Sequence, residues 1–363
     1  MDKPTALIAM SGGVDSSVAA ALMVQRGYEC IGVTMKLRSN SDCVCTEKSC
    51  CTADDAEDAR NAAYSMGMKF YVFNFTQEFE REVIDRFVSS YEHGQTPNPC
   101  IDCNRYMKFE LLYQRGRSLG CDYIVTGHYA RTEFLPEQGR WVLKKAKNSA
   151  KDQSYVLYSM TQEQLSHTIF PLGEFSSKDE VRALAEKLGL LNAHKHDSQD
   201  ICFVPDGDYA EFIRMRTGKT YPHGDFVDIN GNVIGEHSGI IRYTIGQRKG
   251  LGVGFGERMY VCGKDMERNT VTLSREDALY SRSLTAGDFN WILFPEAPRD
   301  PVRLTARTRY NGREAAAEVW ADESGIVYVQ FDEPQRAVTA GQAVVLYQGD
   351  IVVGGGTIIS AEK

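Results

Sequence analysis

Apolar residues fall into two textures along this chain. Up to about residue 200, short apolar runs alternate with stretches whose apolar positions recur every three or four residues. The runs Ala6–Met10, Cys30–Lys36, Phe70–Phe75 and Tyr123–Thr126 predict strands. Val18–Arg26, Ala53–Met66, Glu78–Tyr91, Asn104–Leu119 and Ser177–Leu188 predict helices. Thr52, followed by Asp54, Asp55 and Glu57, marks one helix start, since acidic side chains suit the positive end of the helix dipole. Strand–helix alternation with buried apolar strands implies an α/β fold with a doubly wound parallel sheet. Such sheets bind ligands at the carboxyl ends of their strands. The loop after Met10, the segment after Lys36 and Thr126-Gly127-His128 are therefore expected to converge.

Beyond about Pro205 the texture changes. A short helix over Asp208–Arg216 precedes glycine-punctuated strands at Phe226–Ile229, Val233–Gly235, Met259–Gly263 and Val271–Ser274. A last group covers Val302–Arg309, Ala315–Trp320, Val327–Phe331, Ala343–Tyr347 and Ile351–Ile359. Short strands at this spacing predict a small mixed central domain and a C-terminal β-barrel. Expected borders are residues 1–205, 206–283 and 284–363.

Length and composition change this picture little. A chain of 363 residues with 42% hydrophobic content can fill several cores, and no apolar run is long enough to span a bilayer. The start Met-Asp-Lys-Pro does not read as a signal peptide, so a cytoplasmic protein is expected. Acidic residues outnumber basic ones, 49 to 41, so bulk charge does not announce a nucleic-acid binder. A local basic surface remains open at Lys144, Lys145 and Lys147, or at Arg303, Arg307, Arg309 and Arg313; a solvated face is the plain alternative. Ten cysteines in such a chain point to chemistry rather than a disulfide framework. Cys43, Cys45, Cys50 and Cys51 crowd one segment, Cys100 and Cys103 form Cys-x-x-Cys, and Cys202 lies in a polar stretch. Cys30, Cys121 and Cys262 sit among apolar neighbours as core filler.

The sharpest signal is Ser11-Gly12-Gly13-Val14-Asp15-Ser16-Ser17, between the first strand and the first helix. Glycines let backbone approach a phosphate, hydroxyls add donors, and amides at the helix start supply positive potential. The segment lacks the Gly-Lys-Ser/Thr ending of a Walker loop and is not Gly-x-Gly-x-x-Gly. It resembles the PP-loop of ATP pyrophosphatases, which split ATP into AMP and pyrophosphate while adenylating a substrate.

A narrower resemblance follows. Thr96-Pro97-Asn98-Pro99-Cys100-Ile101-Asp102-Cys103-Asn104 with Lys108-Phe109 is similar to the signature of the tRNA-specific 2-thiouridylases, the MnmA family. Thr126–Arg131, Lys151–Tyr155, Asp197–Phe203, Gly239–Gly250, Arg309-Tyr310 and Gly341-Gln342 continue it in family order. The resemblance implies an adenine nucleotide alpha-hydrolase-like PP-loop domain and ATP-dependent 2-thiolation of the wobble uridine in tRNAs for lysine, glutamate and glutamine. It implies ATP and Mg2+ as cofactors, with tRNA and a persulfide sulfur donor as partners. The donor is either a relay protein or a cysteine desulfurase. A monomer without membrane contact is expected.

Residue by residue, the resemblance places Ala9, Met10, Ser11, Gly12, Gly13, Val14, Asp15, Ser16, Met35 and Gly127 on the nucleotide, with Asp15 nearest the metal. Cys202 carries the persulfide and Cys103 is the second, nucleophilic cysteine. Cys103 is expected just before a helix at Asn104, where the dipole favours thiolate. For both to act, Gln199–Val204 must fold over the nucleotide site. Asn98, Pro99 and Cys100 face the target base; Cys100 stands where other members carry Asp, so the proton carrier stays open. His128, Lys151, Asp152, Gln153, Arg309, Tyr310 and Gln342 contact tRNA.

Other readings compete. No metal site is assigned, although Cys43, Cys45, Cys50 and Cys51 with Cys100 and Cys103 invite zinc or an iron–sulfur cluster; their spacing fits neither a zinc knuckle nor a ferredoxin run. The cysteine-rich loop alternatively docks a donor. An amidotransferase-type synthetase would need a glutaminase domain, for which the chain has no motif. A non-catalytic sulfur carrier would not need an intact phosphate loop.

Overall fold

The computed structural model describes residues 3–38, 53–190, 192–193, 195, 201–204, 207–252, 254 and 256–362. Two compact units emerge. One comprises Met1–Ile84, Pro99–Pro205 and Gln348–Gly354, the other Asp85–Asn98, Asp206–Tyr347 and Gly355–Lys363.

In the first unit, β1 (Thr5–Ala9) leads through α1 (Val14–Gln25) to β2 (Glu29–Lys36), and α2 (Ala53–Ser65) leads to β3 (Lys69–Asn74). Then come β4 (Tyr123–Val125), a hairpin of β5 (Ala130–Leu135) and β6 (Arg140–Lys145), β7 (Thr168–Ile169) and α3 (Lys178–Lys187). The sheet order is β3-β2-β1-β4-β7, parallel throughout. Strand alternation gives the sheet two buried faces. Ala6 and Ile8 of β1 pack with Val18, Ala19, Ala59 and Ala63 on one side, while Leu7 packs with Leu112 and Ile124 on the other. Small residues on α1 let it lie close to the sheet. Sheet growth reverses between β1 and β4, so a crevice opens at their carboxyl ends.

Two helices carry π-helical stretches. Thr76–Phe79 runs into a π segment, Glu80–Ile84; Pro99–Asp102 runs into another, Cys103–Leu112, and then into Tyr113–Ser118. Helix therefore begins at Pro99, not at the expected Asn104. Proline suits a first helical position because its missing N–H has no partner there anyway. The correction matters for chemistry: Cys100 occupies the first turn, and Cys103 lies one turn inside. The β5–β6 hairpin goes unsignalled by the apolar pattern; its β6 also pairs with Ile351 and Val352.

The second unit holds α4 (Tyr209–Thr217), capped by the Asp208 side chain and closed by Gly218 at φ 66°. Its mixed sheet takes β8 (Gly224–Val227), β9 (Val233–His237), β10 (Tyr260–Asp265) and β11 (Thr270–Ser274) in the order β10-β11-β8-β9. The barrel strands are β12 (Tyr280–Trp291), β13 (Val302–Arg307), β14 (Ala315–Ala321), β15 (Val327–Arg336), β16 (Ala343–Gln348) and β17 (Ile351–Glu362). They run β12-β15-β14-β13-β16-β17, and β17 pairs back with β12. Inward residues such as Val319, Val329 and Leu346 are fully buried. Parallel sheet, mixed sheet and barrel are the architecture that the two textures predict. No helix among the described residues is long and apolar enough to cross a membrane.

Candidate active site

The phosphate loop is built by glycine geometry. Gly12 has φ +75°, and a Cβ there would stand 2.3 Å from the Asp55 carbonyl oxygen, so both conformation and space exclude a side chain. Gly13 caps α1 with no side-chain hydrogen bond, leaving the first amides of the helix for a ligand. Inside the loop, Ser16 Oγ donates to the Gly13 carbonyl at 3.0 Å and accepts from the Ser11 amide at 3.2 Å. From outside, Asn192 Nδ2 donates to the Gly12 carbonyl and to Ser17 Oγ, each at 2.9 Å. Lys195 holds Asp55 and Asp58 of α2 at 2.6 and 2.7 Å. Gly127, just past β4, comes so close that a Cβ would stand 2.8 Å from the Ser16 amide nitrogen.

A cavity of about 370 Å³ opens at the carboxyl ends of β1, β2 and β4. The phosphate loop contributes Ala9, Met10, Ser11, Asp15 and Ser16, and Met35 and Gly127 form its walls. Pro99, Cys100, Cys103, His128, Gln153 and Cys202 line it too. The two cysteines assigned to sulfur transfer thus share one cavity with the loop. Cys100 is exposed; Cys103 and Cys202 are half-buried. Phe203 packs edge-on against Phe79 at 6.0 Å, and Arg38 donates to the Cys202 carbonyl, which anchors residues 201–204 at this wall. Positions 199 and 200 lie outside the described residues, as do Cys43, Cys45, Cys50 and Cys51. Among the described residues no three His, Cys, Asp or Glu side chains gather as metal ligands.

One wall is a polar chain that the sequence motifs contain but do not explain. Asn104 Nδ2 donates to the Val156 carbonyl at 3.1 Å, and Lys108 Nζ donates to Asn104 Oδ1 at 2.9 Å. Lys108 also reaches His128 Nε2 at 3.4 Å, while His128 Nδ1 lies 2.7 Å from Thr126 Oγ1. Burial, with the Lys108 ammonium beside it, holds His128 well below the ordinary imidazole range. Because an ammonium can only donate, a neutral ring here would accept from Lys108 at Nε2 and donate to Thr126 from Nδ1. Elsewhere, burial pushes the Cys30 thiol up to about 11 and raises Cys121, as expected of core filler.

Several assigned residues do not line the cavity. Gly12 and Gly13 have only backbone to present, and Val14 is buried. Asp152 is buried, its carboxylate accepting from the Ala146 and Ser154 amides and the Ser154 hydroxyl, which ties down the turn between residues 146 and 154. Lys151 is half-buried nearby. Gln153 Oε1 accepts from the Tyr129 amide at 2.9 Å. In the second unit, Gln342 Nε2 donates to the Thr96 carbonyl at 2.7 Å, and Gly341, at φ +87°, lets the barrel approach Gln95 and Thr96, two residues before Asn98. Arg309 and Tyr310 are exposed.

The basic candidates are mostly neutralised. Lys144 pairs with Glu133 and Asp350, Lys147 with Glu174, Arg303 with Asp332 and Arg307 with Glu314. Lys145 donates to the Gly349 carbonyl. Arg309 and Arg313 remain exposed.

Comparison with known proteins fits this geometry. Residues 5–206 match the family described as tRNA methyl transferase HUP domain, residues 210–275 the tRNA methyl transferase PRC-barrel domain, and residues 281–358 the Aminomethyltransferase beta-barrel domain. The tRNA-specific 2-thiouridylase MnmA of Acetivibrio thermocellus is 50% identical over 360 residues, covering 99% of this chain and 100% of that one. The protein of the same name from Moorella thermoacetica is 50% identical over 358 residues, covering 98% and 100%. The one from Clostridioides difficile is 47% identical over 352 residues, covering 97% of each. Likeness at this level along nearly the whole length shows that the chain belongs to the MnmA family of tRNA-specific 2-thiouridylases.

Proposed function

We propose that this enzyme converts the wobble uridine of tRNAs for lysine, glutamate and glutamine to 2-thiouridine, with ATP activating the base and a cysteine persulfide supplying sulfur. The observation that carries the reading is the single cavity in which the phosphate loop meets Cys103 and Cys202. Oxide is a poor leaving group, so exchange of uracil oxygen for sulfur needs activation first. Uracil O2 attacks the α-phosphorus of ATP. The bond to the bridging oxygen breaks, its electron pair leaves with pyrophosphate, and the N3 proton passes to solvent. Cys103 thiolate then attacks the inner sulfur of the Cys202 persulfide, forming a Cys103–Cys202 disulfide and releasing hydrosulfide. Hydrosulfide adds to C2, AMP departs with the oxygen, and the sulfur-borne proton ends on N3. An external thiol later reduces the disulfide.

The chain's groups fit their tasks. Open amides at the start of α1, with Ser11 and Ser16, suit phosphate oxygens. Neutral His128 offers no charge to repel Lys108, which keeps a cation on the cavity wall. Asp15, a lone carboxylate at the loop, suits Mg2+, which takes one or two carboxylates together with phosphate oxygens and offsets charge on pyrophosphate.

The test is thiolation of an unmodified lysine tRNA transcript with ATP, magnesium and a persulfide donor, read by retardation in an organomercury gel. Wild type should give a retarded band, and Cys103→Ser and Cys202→Ser none. A band that appears only in anaerobic, iron-reconstituted protein would move these cysteines to a cluster. AMP formation without a band would leave the nucleotide chemistry standing and reject the acceptor or donor.

A further inference from the structure

The carboxylate best placed for the metal is already engaged. Lys178 Nζ lies 2.7 Å from both Asp15 Oδ1 and Oδ2, and the Tyr129 hydroxyl donates to Oδ1 at 2.8 Å. The ammonium also stands 5.8 Å from the Tyr129 ring centre. The Lys178 side chain is 10% exposed, and the carboxylate it touches lines the cavity beside Ser11 and Ser16. We propose that Lys178 is a substrate-binding catalytic residue: it rests on Asp15 and passes its ammonium to the β- and γ-phosphate oxygens when ATP enters.

Three physical arguments point this way. Lys178 is the first residue of α3, behind the Ser177 cap, where the positive end of the helix dipole disfavours a cation. A buried lysine at that position costs stability that a neutral residue would not. Charge balance is the second. The loop of α1 offers backbone amides but no Walker-type lysine, and a triphosphate needs more than dipoles to offset its charge as the leaving group develops. With Lys178 on phosphate, Asp15 is free to face a metal, and Tyr129 can go on donating to it. The third is reach: lysine is a point charge on a flexible four-carbon stem, suited to moving between two nearby anions. The chemical step stays as described above, with Lys178 donating hydrogen bonds to the pyrophosphate that takes the electron pair.

The inference rests on the loop being an ATP site, and its test is equilibrium binding, separate from thiolation. Titrations of Lys178→Met and Lys178→Arg with ATP and magnesium, with pyrophosphate and with AMP would be compared with wild type. AMP lacks the phosphates that Lys178 would touch. Lys178→Met should weaken ATP by about 10- to 100-fold while AMP stays within about twofold, and Lys178→Arg should recover most of the loss. Equal losses for AMP and ATP would reduce Lys178 to a tie between α1 and α3 and overturn the proposal, as would no loss at all. If Lys178→Met fails to fold, Asp15→Asn with Lys178→Met removes both charges and is compared with Asp15→Asn alone; ATP must still weaken. Wild type that binds ATP yet releases no AMP with tRNA would sink the thiolase reading and leave Lys178 judged by binding. Wild type that binds no ATP overturns both.

Discussion

At the scale of residues, the loop Ser11–Ser17 was legible because its whole logic is local: two glycines, three hydroxyls and a helix start. Asn192, Lys195 and Lys178, which brace that loop and Asp15, were not. Each looks like an ordinary helix-end or surface residue until the chain folds its carboxyl-side segment back on α1 and α2. His128 lies between these cases. Its motif marks it, but only packing shows that burial, with the Lys108 ammonium beside it, holds the imidazole well below its ordinary range. That lowering has a measurable consequence. Below the ordinary value of 6.5 the unfolded chain takes up a proton at this imidazole and the folded chain does not. Stability therefore falls as pH drops through about 6.5, by up to about 1.4 kcal/mol per pH unit for one such group. His167 and His237, also lowered chiefly by burial, act in the same direction. Denaturant titrations across that range should show His128→Gln with a shallower loss than wild type, though not a flat one. Parallel slopes would mean that His128 titrates normally.

At the scale of elements, the alternation of strand and helix in the first two hundred residues was readable because buried parallel strands are short, apolar and punctuated. The misses have physical causes. The Pro99 helix start was hidden by reading Asn98-Pro99 as part of a motif rather than reading Pro99 as a first helical residue. The β5–β6 hairpin carries Arg131, Glu133, Lys144 and Lys145 on strands whose charges pair with neighbours, so its apolar alternation is faint. The spacing between elements is just as specific. β4 can end beside the start of α1 only because Gly127 has no side chain. Gly127→Ala must push its Cβ against the backbone of Asp15 and Ser16, displacing the loop or the strand end. Overpacking of this kind costs about 1–3 kcal/mol. ATP affinity should fall by at least about tenfold, since phosphate-loop geometry is what moves. Titration beside a denaturation curve checks it: a destabilised protein with normal ATP affinity would show that the loop tolerates the shift.

At the scale of the whole molecule, a net charge of −8 sits awkwardly with a polyanionic substrate. The ion pairs sharpen the difficulty, because most basic candidates already have carboxylate partners. Arg303 is held by Asp332 through two contacts of 2.7 and 2.6 Å, while exposed Arg309 donates to the Arg336 carbonyl and meets no carboxylate among the described residues. Sequence shows how many cations exist; only the fold shows which have charge to spare. Phosphate contact releases counterions, so each cation that meets a phosphate steepens the salt dependence of binding by about 0.7 to 0.9 in log–log slope. Arg309→Ala should therefore weaken binding of unmodified tRNA and make that slope shallower by about one. Arg303→Ala should leave the slope where it was, because its charge is already spent on Asp332. Measuring affinity at several salt concentrations for both variants decides the matter. Equal changes in slope would mean that the Arg303–Asp332 pair opens on RNA, and that the neutralised surface is as much a part of tRNA recognition as the exposed one.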